Sequence, residues 1–211
     1  MTRPDRVVID PGHPSEVGEG CRGRRTDEIT VAWEIAKLLR DALRASGCDV
    51  LLTKRTARER VTNRSRAAIA TRFRADLAVR LHCDAGADRG FAVYAPDRPG
   101  RDRNGNRGPS ATVCARSTFA ARQFHTAMGS ALAALLPDRG CWSDTKTAIG
   151  AEQGALTGSV HSTQPVVLVE MVVLTQTTDE GFILSPAGRR RMVDALAAGT
   201  RAALGALRPR D

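Results

Sequence analysis

Two histidines each follow a short apolar run, and this repeated arrangement is the sequence feature with the clearest chemical content. His13 comes after Val7-Val8-Ile9-Asp10-Pro11-Gly12, and His82 ends the run Leu77-Ala78-Val79-Arg80-Leu81. Each run is typical of a buried strand. In open α/β sheets, ligands bind in the loops beyond the carboxyl ends of the strands. We therefore predict that the two imidazoles converge on one divalent cation.

A third ligand is required if the cation is a catalytic zinc, which takes about three protein ligands and leaves a position for water. Glu28 is the candidate, because the loop that begins at His13 can fold back and bring the two side chains together. The first turn of a helix also favours acidic residues through the helix dipole, which gives Glu28 a purely structural explanation. Asp27, Glu16 and Glu19 stay open as rival carboxylates.

Glu170 is the most unusual acidic residue, because it follows the apolar run 166–169, which is typical of a central strand. A carboxylate buried without a partner is costly, so this position favours contact with a cation or work as a general base. The alternative is that the strand has ended and Glu170 lies in solvent. His161 precedes the same strand and is a possible substrate-binding residue, whereas His125 lies within a helical segment and is expected to be uninvolved.

The elements that must position these residues alternate between strands and helices. Strands are predicted at 7–9, 49–53, 77–82, 91–95 and 166–171. Helices are predicted from Glu28 to shortly before Gly47, over 57–73 and 112–136, and from Ser185 to Leu207, while 97–109 and 137–164 are expected to be irregular. This rhythm predicts a single α/β domain, in which a mostly parallel, mixed and twisted sheet of about six strands has helices on both faces.

Composition narrows the class of protein. The 211 residues are 42% hydrophobic, enough for one sizeable core. The net charge of +9 attracts polyanions of any kind, whether nucleic acid, anionic lipid or acidic wall polymer. Basic and aromatic residues are not interleaved, so we do not expect a nucleic-acid partner. No apolar run approaches the roughly 20 residues of a membrane span, and no signal segment precedes the first strand. The five cysteines form no C-x-x-C pair, which argues against a zinc–cysteine site, although one disulfide stays open.

Four motifs taken together resemble a known family. They are 8–13 with its terminal His13, then Glu28, then 81–85 with His82, then 167–170 ending at Glu170. In this order they resemble the zinc-dependent N-acetylmuramoyl-L-alanine amidases of the type-3 catalytic domain. The resemblance implies one zinc ion held by His13, Glu28 and His82, with Glu170 as the catalytic glutamate. It also implies a single α/β domain, which we expect to be one catalytic domain over 1–211 with its core at about 6–205. We expect no separate wall-binding domain.

The implied substrate is peptidoglycan, cut at the amide bond between N-acetylmuramic acid and the L-alanine of the stem peptide. We expect a monomer that acts on the cell wall or in the periplasm by an unspecified export route, release as a phage or prophage lysin included. Two alternatives stay open: a zinc peptidase that cuts within the stem peptide, and a non-catalytic basic module that binds anionic wall polymer.

The chain departs from the family pattern beside the predicted ligands. Arg80 replaces a serine, Ile29 replaces a lysine, and Cys83-Asp84 replaces Ala-Asn, while 171–173 differs from the common Val-Gly-Phe. We expect these changes to lie at the rim of the site and to bear on substrate preference more than on chemistry. Some relatives carry an inhibitory helix beside the site, but the stretch 97–109 is short and hydrophilic, which argues against one here.

Overall fold

The computed structural model describes residues 3–208, which alternate strands and helices around one central sheet; residues 1–2 and 209–211 of the predicted domain lie outside the described part. The strands are β1 (Arg6–Pro11), β2 (Asp49–Leu52), β3 (Leu77–Asp84), β4 (Phe91–Ala95), β5 (Gly100–Arg101), β6 (Arg107–Gly108), β7 (Asp138–Ser143) and β8 (Val166–Val173). The helices are α1 (Glu28–Ala45), α2 (Asn63–Phe73), α3 (Ala111–Leu132), α4 (Ala148–Gln153), α5 (Thr157–Val160), α6 (Thr177–Leu184) and α7 (Pro186–Leu207).

The main sheet has six strands in the order β2-β1-β3-β8-β4-β7. Strands β2, β1, β3 and β8 run parallel, whereas β4 is antiparallel to β8 and parallel to β7. The predicted mixed, mostly parallel sheet of an α/β fold is thereby confirmed. The carboxyl ends of β1, β3 and β8 meet at one edge, where α/β sheets bind ligands.

Helices cover both faces of the sheet, as the near-continuous apolar strands predict. Alternate residues of β1 point to opposite faces: Ile9 joins the large core beneath α1, α3 and α7, and Val8 joins a smaller cluster beneath α2. In the large core, Phe124 of α3 packs against Gly199 of α7, where an added Cβ would lie 2.8 Å from the ring. This close packing holds the two long helices on the same face.

Helix α1 carries Glu28 in its first turn. Asp27 is the N-cap and accepts a hydrogen bond of 2.8 Å from the backbone N–H of Thr30, the usual way to satisfy a free N–H at a helix start. Val31 and Ile35, one turn apart, are buried against the sheet and fix the rotation of the helix. Glu28, on the same side, is therefore directed inward.

Several elements differ from the sequence expectations. Helix α2 begins at Asn63 rather than 57, because Thr62 caps it with a hydrogen bond of 3.1 Å from the N–H of Ser65. The stretch 137–164, expected to be irregular, contains β7, α4 and α5. Strand β7 has no buried residue and pairs only with β4, so it lacks the apolar pattern by which strands are recognised. Helix α6 was also not predicted.

Within residues 3–208, no helix combines the length and apolar character that a membrane crossing requires. All five cysteines are free thiols.

Candidate active site

The loop after β1 presents His13 towards the sheet edge. The N–H of Gly12 donates to the carbonyl of Leu81 over 2.8 Å, which ties the loop to β3. Gly12 has no room for a side chain, because a Cβ there would lie 2.5 Å from Cε1 of His82. His13 itself has a positive φ of 45°, which is uncommon for a residue other than glycine. Its Nδ1 lies 2.9 Å from the carbonyl oxygen of Gly18, so the ring donates there and Nε2 faces inward.

Glu28 lies between the two histidines and contacts both. Its Oε1 is 2.8 Å from Nδ1 of His82 and 3.6 Å from Nε2 of His13. The carboxylate also accepts backbone N–H bonds from Cys21 (2.8 Å) and Cys83 (3.2 Å), and the residue is 2% exposed. One donor atom from each of the three side chains lies within 4.8 Å of the others. Two imidazoles and one carboxylate are a donor set that fits zinc.

The surroundings of Glu28 and His82 shift the pKa values of both side chains downward. Burial would raise the pKa of Glu28, but the hydrogen bond and charge of His82, with His13 and the Cys21 N–H, lower that pKa to about 2. Burial lowers the pKa of His82, and the contact with Glu28 opposes that effect. An ionised carboxylate and a neutral imidazole can coordinate a cation without first losing a proton. Nε2 of His82 is buried and has no hydrogen-bond partner within residues 3–208.

The rival carboxylates lie in other contacts. Asp27 caps α1, Glu16 accepts from the N–H of Asn63 (2.9 Å), and Glu19 forms an exposed ion pair with Arg60 (3.4 Å). None of the three joins the histidine cluster, so among the four carboxylates considered only Glu28 contacts both imidazoles.

The two remaining histidines also have partners elsewhere. His161 Nε2 lies 3.0 Å from Asp102 Oδ2, in a groove that adjoins the cavity described below. His125 lies on α3 and pairs with Asp138 of β7 (2.7 Å). The structure thus brings neither histidine to the cluster, and it leaves His161 at the margin of the site rather than in it.

Glu170 faces the same cavity as the two histidines. This cavity of about 250 Å³ lies over the sheet and is lined by His13, His82 and Glu170, with Arg80 and Leu168 deeper along β3 and β8. Oε2 of Glu170 is buried with no hydrogen-bond partner within the described residues. Burial raises the pKa of Glu170 well above its usual value, and the nearby carboxylates of Glu28 and Asp84 raise it further. One cavity thus contains side chains of the types that bind metals, together with the carboxyl group of Glu170, whose Oε2 has no hydrogen-bond partner within residues 3–208.

A family model for N-acetylmuramoyl-L-alanine amidases matches residues 7–202, nearly the whole chain. The chain belongs to this family. It is an N-acetylmuramoyl-L-alanine amidase, and zinc dependence is typical of the family. A comparison of this chain with curated proteins found no significant match.

Solved structures of other amidases have the same fold as this one. AmiC2 of Nostoc punctiforme is 22% identical, with a TM-score of 0.72 over 93% of this chain and 95% of that one. The catalytic domain of CwlV from Bacillus (Paenibacillus) polymyxa var. colistinus is 21% identical, with a TM-score of 0.73 over 96% and 99%. Ami1 from Mycobacterium smegmatis is 23% identical, with a TM-score of 0.73 over 96% and 98%.

Beneath the amidase cavity lies a buried charge network that the sequence analysis missed. Asp10 forms ion pairs with Arg66 and with Arg80, the latter at 3.1 Å. Burial would raise the pKa of Asp10, but the two guanidinium groups outweigh it and hold that pKa far below its usual value. Arg66 also donates to the carbonyls of Pro11 (2.7 Å) and Pro14 (3.1 Å), which fastens the loop that carries the first histidine.

A signal for this network was present in the sequence. Asp10 and Arg80 both stand inside apolar strand runs, and a buried charge needs a partner. Strands β1 and β3 pair with these two residues opposite each other. Asp10 lies three residues before His13 and Arg80 lies two residues before His82, so both charged residues stand near the carboxyl ends of their runs.

The roof of the cavity comes from the stretch expected to be irregular. Thr147, Ile149, Leu156 and Gly158 line it from the segment between β7 and β8. Asp144, which is buried, accepts from the N–H of Leu156 (3.1 Å) and ties the two ends of this segment together. This hydrogen bond holds the roof segment together without a contact to the sheet.

Proposed function

We propose that this chain hydrolyses the amide bond between the lactyl group of N-acetylmuramic acid and the L-alanine of the stem peptide, with one zinc ion held by His13, Glu28 and His82. The observation that carries the proposal is the convergence of these three side chains, each with a donor atom within 4.8 Å of the others, beside Glu170 in one cavity. Membership of the amidase family supports the choice of bond.

Hydrogen bonds from neighbouring groups orient the proposed zinc ligands. His13 offers Nε2 because its Nδ1 is engaged by the Gly18 carbonyl, and such a bond on the second nitrogen fixes the ring's orientation. Glu28 is held by two backbone N–H groups as well as by the histidines. When bound, zinc supplies a Lewis acid that polarises the scissile carbonyl and lowers the pKa of water.

Glu170 moves the proton. A cation held by His13, Glu28 and His82 would favour the ionised form of Glu170. That carboxylate accepts a proton from the attacking water as the oxygen bonds to the carbonyl carbon of the lactyl group. It then delivers this proton to the alanine nitrogen as the C–N bond breaks, which leaves a carboxyl group on the sugar and a free amino terminus on the peptide. Its unpartnered Oε2 supports this role, because no other described group competes for that oxygen.

We further propose that the enzyme acts as a single chain on peptidoglycan in the wall or the periplasm. All four residues of the site come from one chain, so no second copy is needed to complete it. The net charge of +9 favours adsorption to wall polymers that carry carboxylates and phosphates.

Mass spectrometry of digested peptidoglycan tests the proposal. We expect intact stem peptides with a free L-alanine amino terminus and glycan without peptide. Shortened stems that remain attached to sugar would instead identify a peptidase. Binding to the wall without any cleavage, fading as salt is added and unchanged by Glu170→Gln, would identify a basic binding module.

A further inference from the structure

Arg80 places a buried cation on the floor of the amidase cavity. It precedes His82 by two residues on β3, so the two side chains share a face of the sheet. Arg80 is 8% exposed. Its Nε donates to Oδ2 of Asp10 (3.1 Å) and its Nη2 donates to Oδ1 of Asn63 (2.7 Å). The third nitrogen, Nη1, has no hydrogen-bond acceptor within residues 3–208, although the residue lines the cavity.

The roof packs closely against this nitrogen. Gly158, which lines the cavity from the roof, comes so close that a Cβ there would lie 2.3 Å from Nη1 of Arg80. Any larger residue at 158 would occupy the space in front of the guanidinium. The absence of a side chain at this position leaves Nη1 bordering the cavity.

The charges around Arg80 do not balance. Asp10 is shared between Arg66 and Arg80, and the buried Lys54 donates to backbone carbonyls, among them those of Gly12 (3.3 Å) and Ala57 (2.8 Å). Two buried guanidinium groups thus share one carboxylate, and the ammonium group of Lys54 contacts only backbone carbonyls. An unbalanced buried charge is costly, and an incoming anion reduces that cost.

Three further carboxyl groups lie near this region, those of Glu28, Asp144 and Glu170, and none of them forms an ion pair with Arg80 within residues 3–208. Asp144 is engaged by the roof, and burial raises its pKa. Glu28 contacts His13 and His82, and Oε2 of Glu170 has no hydrogen-bond partner within the described residues. The positive charge of Arg80 is therefore available to a ligand.

We infer that Arg80 is a specificity-determining residue whose Nη1 binds a carboxylate of the stem peptide, next to the scissile amide. This inference rests on the proposed function. A stem peptide whose second residue is an acidic amino acid joined through its side-chain carboxyl has a free main-chain carboxylate. Arg80 and His82 are two residues apart on one strand, so their Cα atoms lie about 6.6 Å apart. Two residues of an extended peptide span a similar length, at about 3.3–3.6 Å each. One extended substrate can therefore reach both positions.

Two substrates that differ in one group test the inference. They are disaccharide–peptides whose second residue carries either the free carboxylate or the carboxamide. A charge-assisted hydrogen bond should make kcat/KM for the carboxylate form roughly 10–100-fold higher. Arg80→Gln should bring the ratio of the two kcat/KM values close to 1, whereas the control Arg72→Gln, which removes an exposed arginine of α2, should leave the ratio unchanged.

The comparison of the two substrates with the wild-type enzyme does not depend on the folding of any variant. Gly158→Ala is a second variant that tests the same contact and leaves Arg80 in the chain. The added methyl should push Nη1 away and lower the same ratio. Equal kcat/KM for the two substrates with the wild type would overturn the inference while leaving the amidase function intact. Cleavage of neither substrate at the muramoyl–alanine bond would overturn both.

Discussion

His82 and Glu170 lie opposite each other on the neighbouring parallel strands β3 and β8. Both side chains line the same cavity, so this register joins a predicted zinc ligand to the predicted base. A slip of one residue would turn either side chain to the other face of the sheet. The apolar neighbours Leu81 and Val169 are buried in the large core, and they fix the register. The packing of the core therefore determines the geometry of the catalytic edge.

Glu170→Gln should lower turnover by roughly 10²–10⁴-fold, the usual contribution of a general base. The amide cannot accept the proton of the attacking water, although it retains the size of the side chain. Zinc content should stay at the wild-type level, because Glu170 is not among the three clustered donors. Release of stem peptides and elemental analysis of the same samples measure the two properties. Glu34→Gln, on the exposed side of α1, is the matched control and should leave turnover unchanged. Near-normal turnover of Glu170→Gln with zinc bound would reject Glu170 as the base.

Glu28→Gln and His82→Ala should each lose zinc and activity together. The carboxylate of Glu28 contacts both imidazoles, so its neutralisation removes the only anionic donor of the cluster. His125→Ala is the control, because that histidine pairs with Asp138 on α3 and β7. Chelator treatment of the wild type should abolish activity, and added zinc should restore it. Full activity in metal-free protein would contradict the zinc assignment.

Strongly apolar segments made much of the fold predictable. The β-branched runs before His13, His82 and Glu170 have the near-continuous apolar character of doubly covered parallel strands. Two histidines at strand ends and a glutamate in an apolar strand were therefore predicted to meet, and the structure brings them to one cavity. Glu28 was less certain from the residues alone, because a helix start attracts carboxylates in any case.

The cavity roof was not predictable in the same way. Strand β7 is an edge strand without buried residues, and α4 and α5 have six and four residues, too short to produce a helical period. The ion pair of Asp10 with Arg80 depends on the pairing of β1 with β3, which is information about contacts far apart in the chain. Local pattern therefore indicated that the two histidines and Glu170 lie near one another, while the side chains around them could be placed only with the tertiary structure.

Gly12→Ala should reduce zinc affinity by about 10–100-fold, the range seen when groups that orient metal ligands are disturbed. The new methyl would lie 2.5–2.8 Å from three atoms of the His82 ring, so the ring has to move. Zinc titration with a competing chelator measures the effect. Gly86→Ala is the control, since a Cβ at Gly86 meets nothing within 4 Å. If both variants bound zinc equally well, the close approach of the loop would have no role in holding the ligand.

Asp10→Asn should lower the free energy of unfolding by about 3–5 kcal/mol at pH 7, because it leaves Arg66 and Arg80 buried without their carboxylate. Those guanidinium groups depress the pKa of Asp10 in the folded state. The stabilising effect of the Asp10 carboxylate is therefore present above the unfolded pKa of about 3.9 and is progressively lost as the pH falls below that value.

Urea denaturation of wild type and Asp10→Asn from pH 7 to pH 3 should therefore give a difference in the free energy of unfolding that shrinks in the acid range. Asp41→Asn, at an exposed carboxylate of α1, should change stability by less than about 0.5 kcal/mol. A difference between wild type and Asp10→Asn that stayed constant down to pH 3 would mean that the carboxylate charge does not stabilise the floor of the cavity.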